Sequence, residues 1–387
     1  MLFRRGSPAV LSRKQLRNLD WPFVFSALAI LSGSLVVLGS ASANVGEDAL
    51  LYFRRQLLWI VMGSAAAVLT VLVDYRRLEK AGPYLYALTL VMLAAVLAVG
   101  SGARGAQRWI GTGPFVFQPS EFAKLLMIVS LAHFLGRYQG RLARFRDLLP
   151  VFGYVAPPML LILRQPDLGT SLVLVATCLG MLFMAGASPR LLLYLVGGGM
   201  AAVAGLLLAH FYLGLPLPLE EYQIMRLVVF LDPYNDGQGG RGAGYHIIQS
   251  LVAIGAGGLF GQGYRRGSQV QLNFLPEHHT DFIFSVVGEE FGFLGAALLL
   301  GLYFLLLYRA LIIAAETDNR FGRLIIAGII SMFLFHILVN VGMTIGIMPI
   351  TGIPLPLFSY GGSSMITNLL ALGLIVNINL RQRRLLF

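Results

Sequence analysis

Apolar residues run together in long stretches, and polar residues gather in short breaks between them. Ten stretches stand out, at 22–40, 53–73, 81–99, 120–136, 150–163, 168–186, 190–213, 281–308, 323–347 and 359–380. A helix needs about 17–25 apolar residues to cross a hydrocarbon core, and most of these stretches have them. The one at 150–163 is short, and predicts either extension into its flanks or a thin bilayer. The pattern predicts an all-α integral membrane protein, a polytopic bundle of about ten transmembrane helices making one domain over 1–387. The basic segment before the first stretch has no small-residue cleavage site, so that stretch reads as a span and not a removable signal. No period of 20–50 residues points to a solenoid.

Most breaks are short. The exception is 214–280, which holds LEEYQIMRLVVFLDP and YHIIQSLVAIGAGG. Each reads as a helix lying on or in the membrane interface. Glu220 and Glu221 at the start of the first suit a helix dipole. Between them, YNDGQGGRGAG reads as a flexible, turn-rich piece. A long ordered loop in a compact protein is usually functional.

Composition narrows the class. The chain is 57% hydrophobic and 12% charged, where a soluble domain carries about 25% charged residues. A soluble enzyme and a disordered chain are both excluded. The mean hydropathy of +0.76 agrees. A net charge of +11 raises the question of nucleic acid. With the N-terminus in the cytoplasm and the spans alternating, 19 of the 29 basic residues fall on inner segments and nine on outer ones. That is the positive-inside bias, so no nucleic acid is needed. Both termini are then cytoplasmic and 214–280 is extracytoplasmic. The one cysteine, Cys178, excludes an intrachain disulfide and reads as a packing residue.

A charge in hydrocarbon costs roughly 2.5–3.5 kcal/mol on insertion scales, so ionisable residues inside or at the edges of spans need a reason. In FLPEHHTDFIF, Glu277, His278, His279 and Asp281 cluster where the long loop enters a span. The histidines read as a polar helix entry or as metal ligands. Asp281 reads as a helix cap or as a general base in a partly apolar setting. On an ideal helix, Glu289 and Glu290 lie about 80° and 180° around from Asp281 and roughly 12–14 Å deeper. They predict structural hydrogen bonds or an ion pair, at least one of them across the bundle. In PSEFAK, Glu121 and Lys124 share a face, as a self-paired buried charge or as the lining of a polar cavity.

In RQPDLGTS, Asp167 could cap the next helix. It could also be a second carboxylate or a divalent-metal ligand near Asp281, with Arg164 beside it. Trp109 next to Arg108 reads as an interfacial anchor, or as a platform for a sugar while the arginine holds phosphate. GAGGLFGQG lacks the lysine and hydroxyl of a P-loop, so nucleotide binding is not expected. His336 and Asn340, at i and i+4, read as interhelical polar glue.

QRWI, QPSEFAK, RQPDLGTS, YHIIQSLVAIGAGGLFGQG, FLPEHHTDFIF, GEEFGFLGA and LPLFSYGGSSM together resemble, in order, the SEDS family of bacterial cell-wall proteins, which includes RodA, FtsW and SpoVE. The likeness runs from about Asp20 to Asn379, and GYHIIQS and GSQVQLNFLPE look closer to the RodA branch. The resemblance implies a peptidoglycan glycosyltransferase that polymerises lipid II into β-1,4 glycan strands at the outer face of the cytoplasmic membrane, for elongation and rod shape. It puts the family's essential acidic residue on Asp281, as general base in an inverting displacement. Arg108, Lys124, Arg164, or a divalent cation (Mg or Mn) held partly by Asp167, would meet the departing pyrophosphate. Trp109, Glu121 and Lys124 would line the cavity. It implies a class B penicillin-binding protein as partner and no organic cofactor. The rival readings are a lipid II flippase, whose polar residues would connect both membrane faces, and a noncatalytic scaffold for the transpeptidase.

Overall fold

The structure, a computed structural model, describes residues 18–43, 50–100, 108–111, 117–138, 142–216 and 221–382. The basic start up to residue 17, Glu220 and residues 383–387 lie outside them. Among the described residues there are thirteen helices: α1 (Trp21–Ala41), α2 (Leu51–Leu72), α3 (Arg76–Val99), α4 (Pro119–Arg137), α5 (Phe145–Leu163), α6 (Leu168–Ala185), α7 (Pro189–Leu213), α8 (Glu221–Leu231), α9 (Tyr245–Gly257), α10 (Ser268–Gln271), α11 (Ile283–Glu316), α12 (Arg320–Thr344) and α13 (Gly362–Leu380). An isolated antiparallel bridge joins Ile110 to Phe117.

Nine of these helices are long and apolar enough to cross a membrane. The tenth of span length is α4, which carries Glu121, Lys124 and Arg137 and is buried along most of its length. The chain is a polytopic helical membrane protein. The short stretch at 150–163 is resolved by extension into its flank, since α5 starts at Phe145 and runs 19 residues.

The bundle is built from a buried inner set and a lipid-facing outer set. Helices α12 and α13 have most of their residues buried, while α7 buries none of its apolar window. Small residues let backbones approach where no aqueous hydrophobic force pulls helices together. A Cβ at Gly63 on α2 would stand 2.6 Å from Leu369 on α13, and one at Gly180 on α6 would stand 1.8 Å from Ser331 on α12. At the end where α1 begins, Asp20 caps that helix by accepting from the Phe23 amide at 3.0 Å. Its carboxylate also pairs with Arg309 of α11. Asn379 at the end of α13 donates to the Asn18 carbonyl at 3.1 Å. The two ends of the described chain therefore sit at the same end of the bundle.

Helix α11 is broken at Gly292, with φ 66° and ψ −162°. The break is filled by the 258–263 backbone. The amides of Gln262 and Gly263 donate to the Glu289 and Glu290 carbonyls, and the amides of Phe293 and Leu294 donate to the Gly258 and Leu259 carbonyls. A Cβ at Gly292 would meet the Gly261 nitrogen at 2.3 Å.

The long loop holds α8, α9 and the short α10. The turn-rich piece between α8 and α9, expected to be flexible, is instead folded around one carboxylate. Asp236 accepts from the amides of Gln238, Gly240, Gly242 and Gly244 at 2.7–3.2 Å. The Gly240 amide first, and the others with it, hold that carboxyl down at about 2.

Candidate functional site

Five chain segments converge at the end of the bundle opposite Asp20. They are 108–109 with the start of α4, the turn into α6, residues 277–281 before α11, residues 352–354 after α12, and 360–364 at the start of α13. Together they enclose a cavity of about 320 Å³. Asp281, Asp167, Glu121, Lys124, Arg108 and Trp109 all line it. The sequence set Glu121 and Lys124 within a span, Asp167 and Asp281 at span edges and Arg108 and Trp109 in a loop, and the fold brings all six to one space.

Arg164 does not join them. It ends α5 as its C-cap and lines a separate, mostly apolar groove with Leu90, Val91, Ala94, Pro157, Leu160 and Leu161. The turn at 164–167 passes between the two spaces, leaving Arg164 on the groove side and Asp167 on the cavity side.

Asp281 is not on the helix it precedes. The N-cap of α11 is Phe282, with no side-chain cap bond. The cap reading of Asp281 therefore fails, and so does the angular relation to Glu289 and Glu290, which assumed one helix from 281. The carboxyl is partly buried. Burial first, and the negative charge of Glu277 second, push it up to about 6, against the opposing effect of Arg226. A Cβ at Gly352 would stand 3.4 Å from Asp281 Oδ2, so residue 352 is the wall of the cavity beside this oxygen.

Lys124 is buried and donates to Glu121 Oε1 at 2.8 Å. Its ammonium also lies 3.2 Å from His336 Nε2. Both readings of PSEFAK hold at once, since the charges are paired and face the cavity. One of the three ammonium protons is left for something in the cavity. Below this pair α4 becomes apolar. Ile128 packs on Gly328 of α12, where Met181 of α6 also meets it.

Arg108 is tied to the turn before α6. It donates from Nε to the Gln165 carbonyl at 3.2 Å and from Nη2 to the Pro166 carbonyl. Tyr222 of α8 donates to the same carbonyl at 2.9 Å. Trp109 beside it is 40% exposed, half in the cavity wall. Arg226, a residue the sequence did not single out, reaches from α8 over the Tyr222 ring to donate to the Thr351 carbonyl at 3.3 Å.

Of the two histidines, His278 is occupied structurally. His278 holds Nδ1 2.6 Å from the Leu275 carbonyl and Nε2 2.8 Å from the Ala41 carbonyl. His279 packs 4.5 Å from the Tyr52 ring. Burial first, with His278 beside it, brings its imidazole down to about 4 against the pull of Glu277. Asp167 is also engaged, since Oδ1 accepts from the Thr170 amide at 3.1 Å and Oδ2 from the Thr170 hydroxyl at 2.9 Å. It is the N-cap of α6. Among the described residues no group of three His, Cys, Asp or Glu stands together as a metal centre.

A family model described as "Cell cycle protein", covering FtsW, RodA and SpoVE, matches residues 20–384. The chain is 39% identical over 377 residues to the peptidoglycan glycosyltransferase MrdB of Escherichia coli K12, covering 95% of each. It is 37% identical to the peptidoglycan glycosyltransferase RodA of Treponema pallidum, covering 94% of this chain and 98% of that one. It is 38% identical to the stage V sporulation protein E of Bacillus subtilis, covering 93% and 96%. Among solved structures, a chain from a peptidoglycan synthase complex described as coordinating polymerisation and crosslinking superposes with a TM-score of 0.77, at 36% identity, covering 93% and 97%. The rod shape determining protein RodA of Thermus thermophilus gives 0.68 at 33% identity, covering 95% and 98%.

Proposed function

The chain belongs to this cell cycle protein family of FtsW, RodA and SpoVE, and we propose that Asp281 is the general base with which it works as a peptidoglycan glycosyltransferase. The substrate is lipid II, a disaccharide-peptide carried on a polyprenyl pyrophosphate. Asp281 takes the proton from the acceptor sugar's 4-hydroxyl. That oxygen attacks the donor's anomeric carbon and forms the glycosidic bond. The bond from that carbon to the pyrophosphate oxygen breaks, and the leaving group keeps its electron pair. One displacement inverts the configuration and needs no covalent intermediate, so catalysis rests on placement and proton transfer.

The observation that carries this reading is a carboxyl held at about 6 in a cavity that also holds a buried ammonium. A base is most effective when its pKa lies near the working pH. The remaining proton of Lys124 and the free edge of Arg108 offer positive charge to the leaving pyrophosphate. Trp109, half exposed in the cavity wall, offers a face to a sugar ring.

The chain is a multi-pass membrane protein. In our reading both termini are cytoplasmic and the cavity is on the extracytoplasmic side, in support of which the basic residues concentrate at the opposite end. A class B penicillin-binding protein is the partner that fits, by likeness to the chain from the synthase complex. Identities of 37–39% to MrdB, RodA and the sporulation relative alike leave the role in elongation resting on GYHIIQS and GSQVQLNFLPE.

The test is polymerisation of purified lipid II by the full chain with a class B penicillin-binding protein. Wild type makes glycan strands, and folded Asp281→Asn makes none. Strands from Asp281→Asn at the wild-type rate would remove Asp281 from the reaction.

A further inference from the structure

The cavity wall beside Asp281 is a short irregular segment, 351–354. Three of its carbonyls are taken by side chains from other parts of the chain. Arg226 donates to Thr351 at 3.3 Å, Asn340 to Ile353 at 2.8 Å, and His336 faces Pro354 at 3.1 Å through Nδ1. A carbonyl can only accept and an ammonium can only donate. The His336 ring, set between the Pro354 carbonyl and Lys124 Nζ, therefore carries its proton on Nδ1 and accepts from Lys124 on Nε2.

Asn340 stands one helical turn after His336 on α12 and is fully buried. Its amide nitrogen has two protons. One goes to the Ile353 carbonyl and the other to the carbonyl of Asp281 itself, at 2.9 Å. Its Oδ1 has no hydrogen-bond partner. A buried amide that leaves its oxygen unsatisfied while spending both protons on two main-chain segments is placed for those two bonds. Simple glue between helices would not call for it, because neither partner is on a helix.

We infer that Asn340 is a positioning residue for Asp281, and that with His336 it fixes the separation between the base and Lys124 across the cavity. The inference rests on Asp281 being the general base. Helix α12 acts as the ruler. One rung, His336, holds Lys124 and the Pro354 end of the wall, and the next rung, Asn340, holds the Ile353 end and the Asp281 backbone. Asn340 touches no substrate, and its effect passes entirely through Asp281. The groups that face the Asp281 carboxyl are Glu277 from its own segment and Arg226 from α8. Neither is altered by substitution at 340.

The experiment measures lipid II polymerisation against pH for the full chain with its penicillin-binding protein, comparing wild type, Asn340→Ala, Asn340→Ser and Asp281→Asn. Asn340→Ala lowers kcat ten-fold or more and leaves KM for lipid II within two-fold. The midpoint of the acid limb falls, because an unpinned Asp281 turns toward water. Asn340→Ser keeps one donor and recovers part of kcat. Unchanged kcat and pH midpoint in folded Asn340→Ala, beside an inactive Asp281→Asn, would overturn the inference and leave the base assignment standing. An active Asp281→Asn would overturn the base assignment itself. Failure of both 340 variants to fold would make Asn340 a stability residue and also overturn the inference.

Discussion

Glu289 and Glu290 are neighbours in sequence, yet their carboxylates anchor different parts of the structure. Glu289 accepts from the Gln269 amide at 2.7 Å and the Val270 amide at 3.2 Å, closing the start of α10. Glu290 accepts from the Ser40 hydroxyl at the end of α1, with the Gln271 amide group nearby at 3.4 Å. Glu289→Ala strips two amides of a charged acceptor, and bonds to charged groups are worth about 1.5–3 kcal/mol. It therefore lowers stability by about 2–3 kcal/mol, while Glu289→Gln costs less. Thermal unfolding in detergent reads both.

The rate of strand formation rises with pH through about 6. Asp281 is raised above the ordinary carboxylate range by burial and by Glu277, so it is protonated and idle below that value and free to accept a proton above it. Substituting Glu277 by Gln removes a negative neighbour and moves the midpoint down. A pH series of initial rates, with folding checked at each pH, measures both. A midpoint near 4 in wild type would contradict the buried setting.

Lys124→Met leaves Glu121 buried without its partner, a loss of about 3–5 kcal/mol. The double variant Glu121→Gln with Lys124→Met leaves no buried charge and regains most of that stability. Both variants lose activity, since neither offers an ammonium to the cavity. Melting curves beside strand synthesis separate the two effects. Equal stability of the single and double variants would mean the pair is wetter than its burial implies.

Arg164→Ala retains strand synthesis to within about two-fold, because the side chain faces the groove of α3 and α5 and not the cavity. Asp167→Ala removes the cap of α6 and costs about 0.5–2 kcal/mol. Any stimulation by magnesium or manganese has the same half-saturating concentration in Asp167→Asn as in wild type. A shift in that concentration would make Asp167 a ligand after all.

The apolar stretches reported the helices well, because lipid forces long apolar runs onto spans. The polar residues at span edges reported the cavity for the same reason. Eight of the residues singled out, Glu277 and His336 among them, line one space because helix ends on one side of a bundle have few places to go. Arg164 misled because two residues three apart around a proline turn face opposite ways, and sequence distance does not show that. The position of Asp281 off the helix was hidden because FLPEHHTDFIF runs into apolar residues without a visible stop. Its neighbours are instead set by His278 reaching the Ala41 carbonyl, 237 residues away in the chain. The wall at 351–354 and its bonds to Arg226, Asn340 and His336 were equally hidden. They join side chains to main-chain carbonyls, and a carbonyl looks the same at every position of a sequence.

The break at Gly292 makes the 258–263 segment and both halves of α11 one cooperative unit. Each side supplies hydrogen bonds the other lacks, so neither can open without stranding the other's amides in a low-dielectric place. Such units open together. The amides of Gln262, Gly263, Phe293 and Leu294 should therefore exchange with deuterium at one common rate, slower than the exposed turns on either side. A loop and a transmembrane helix would then share a single lifetime.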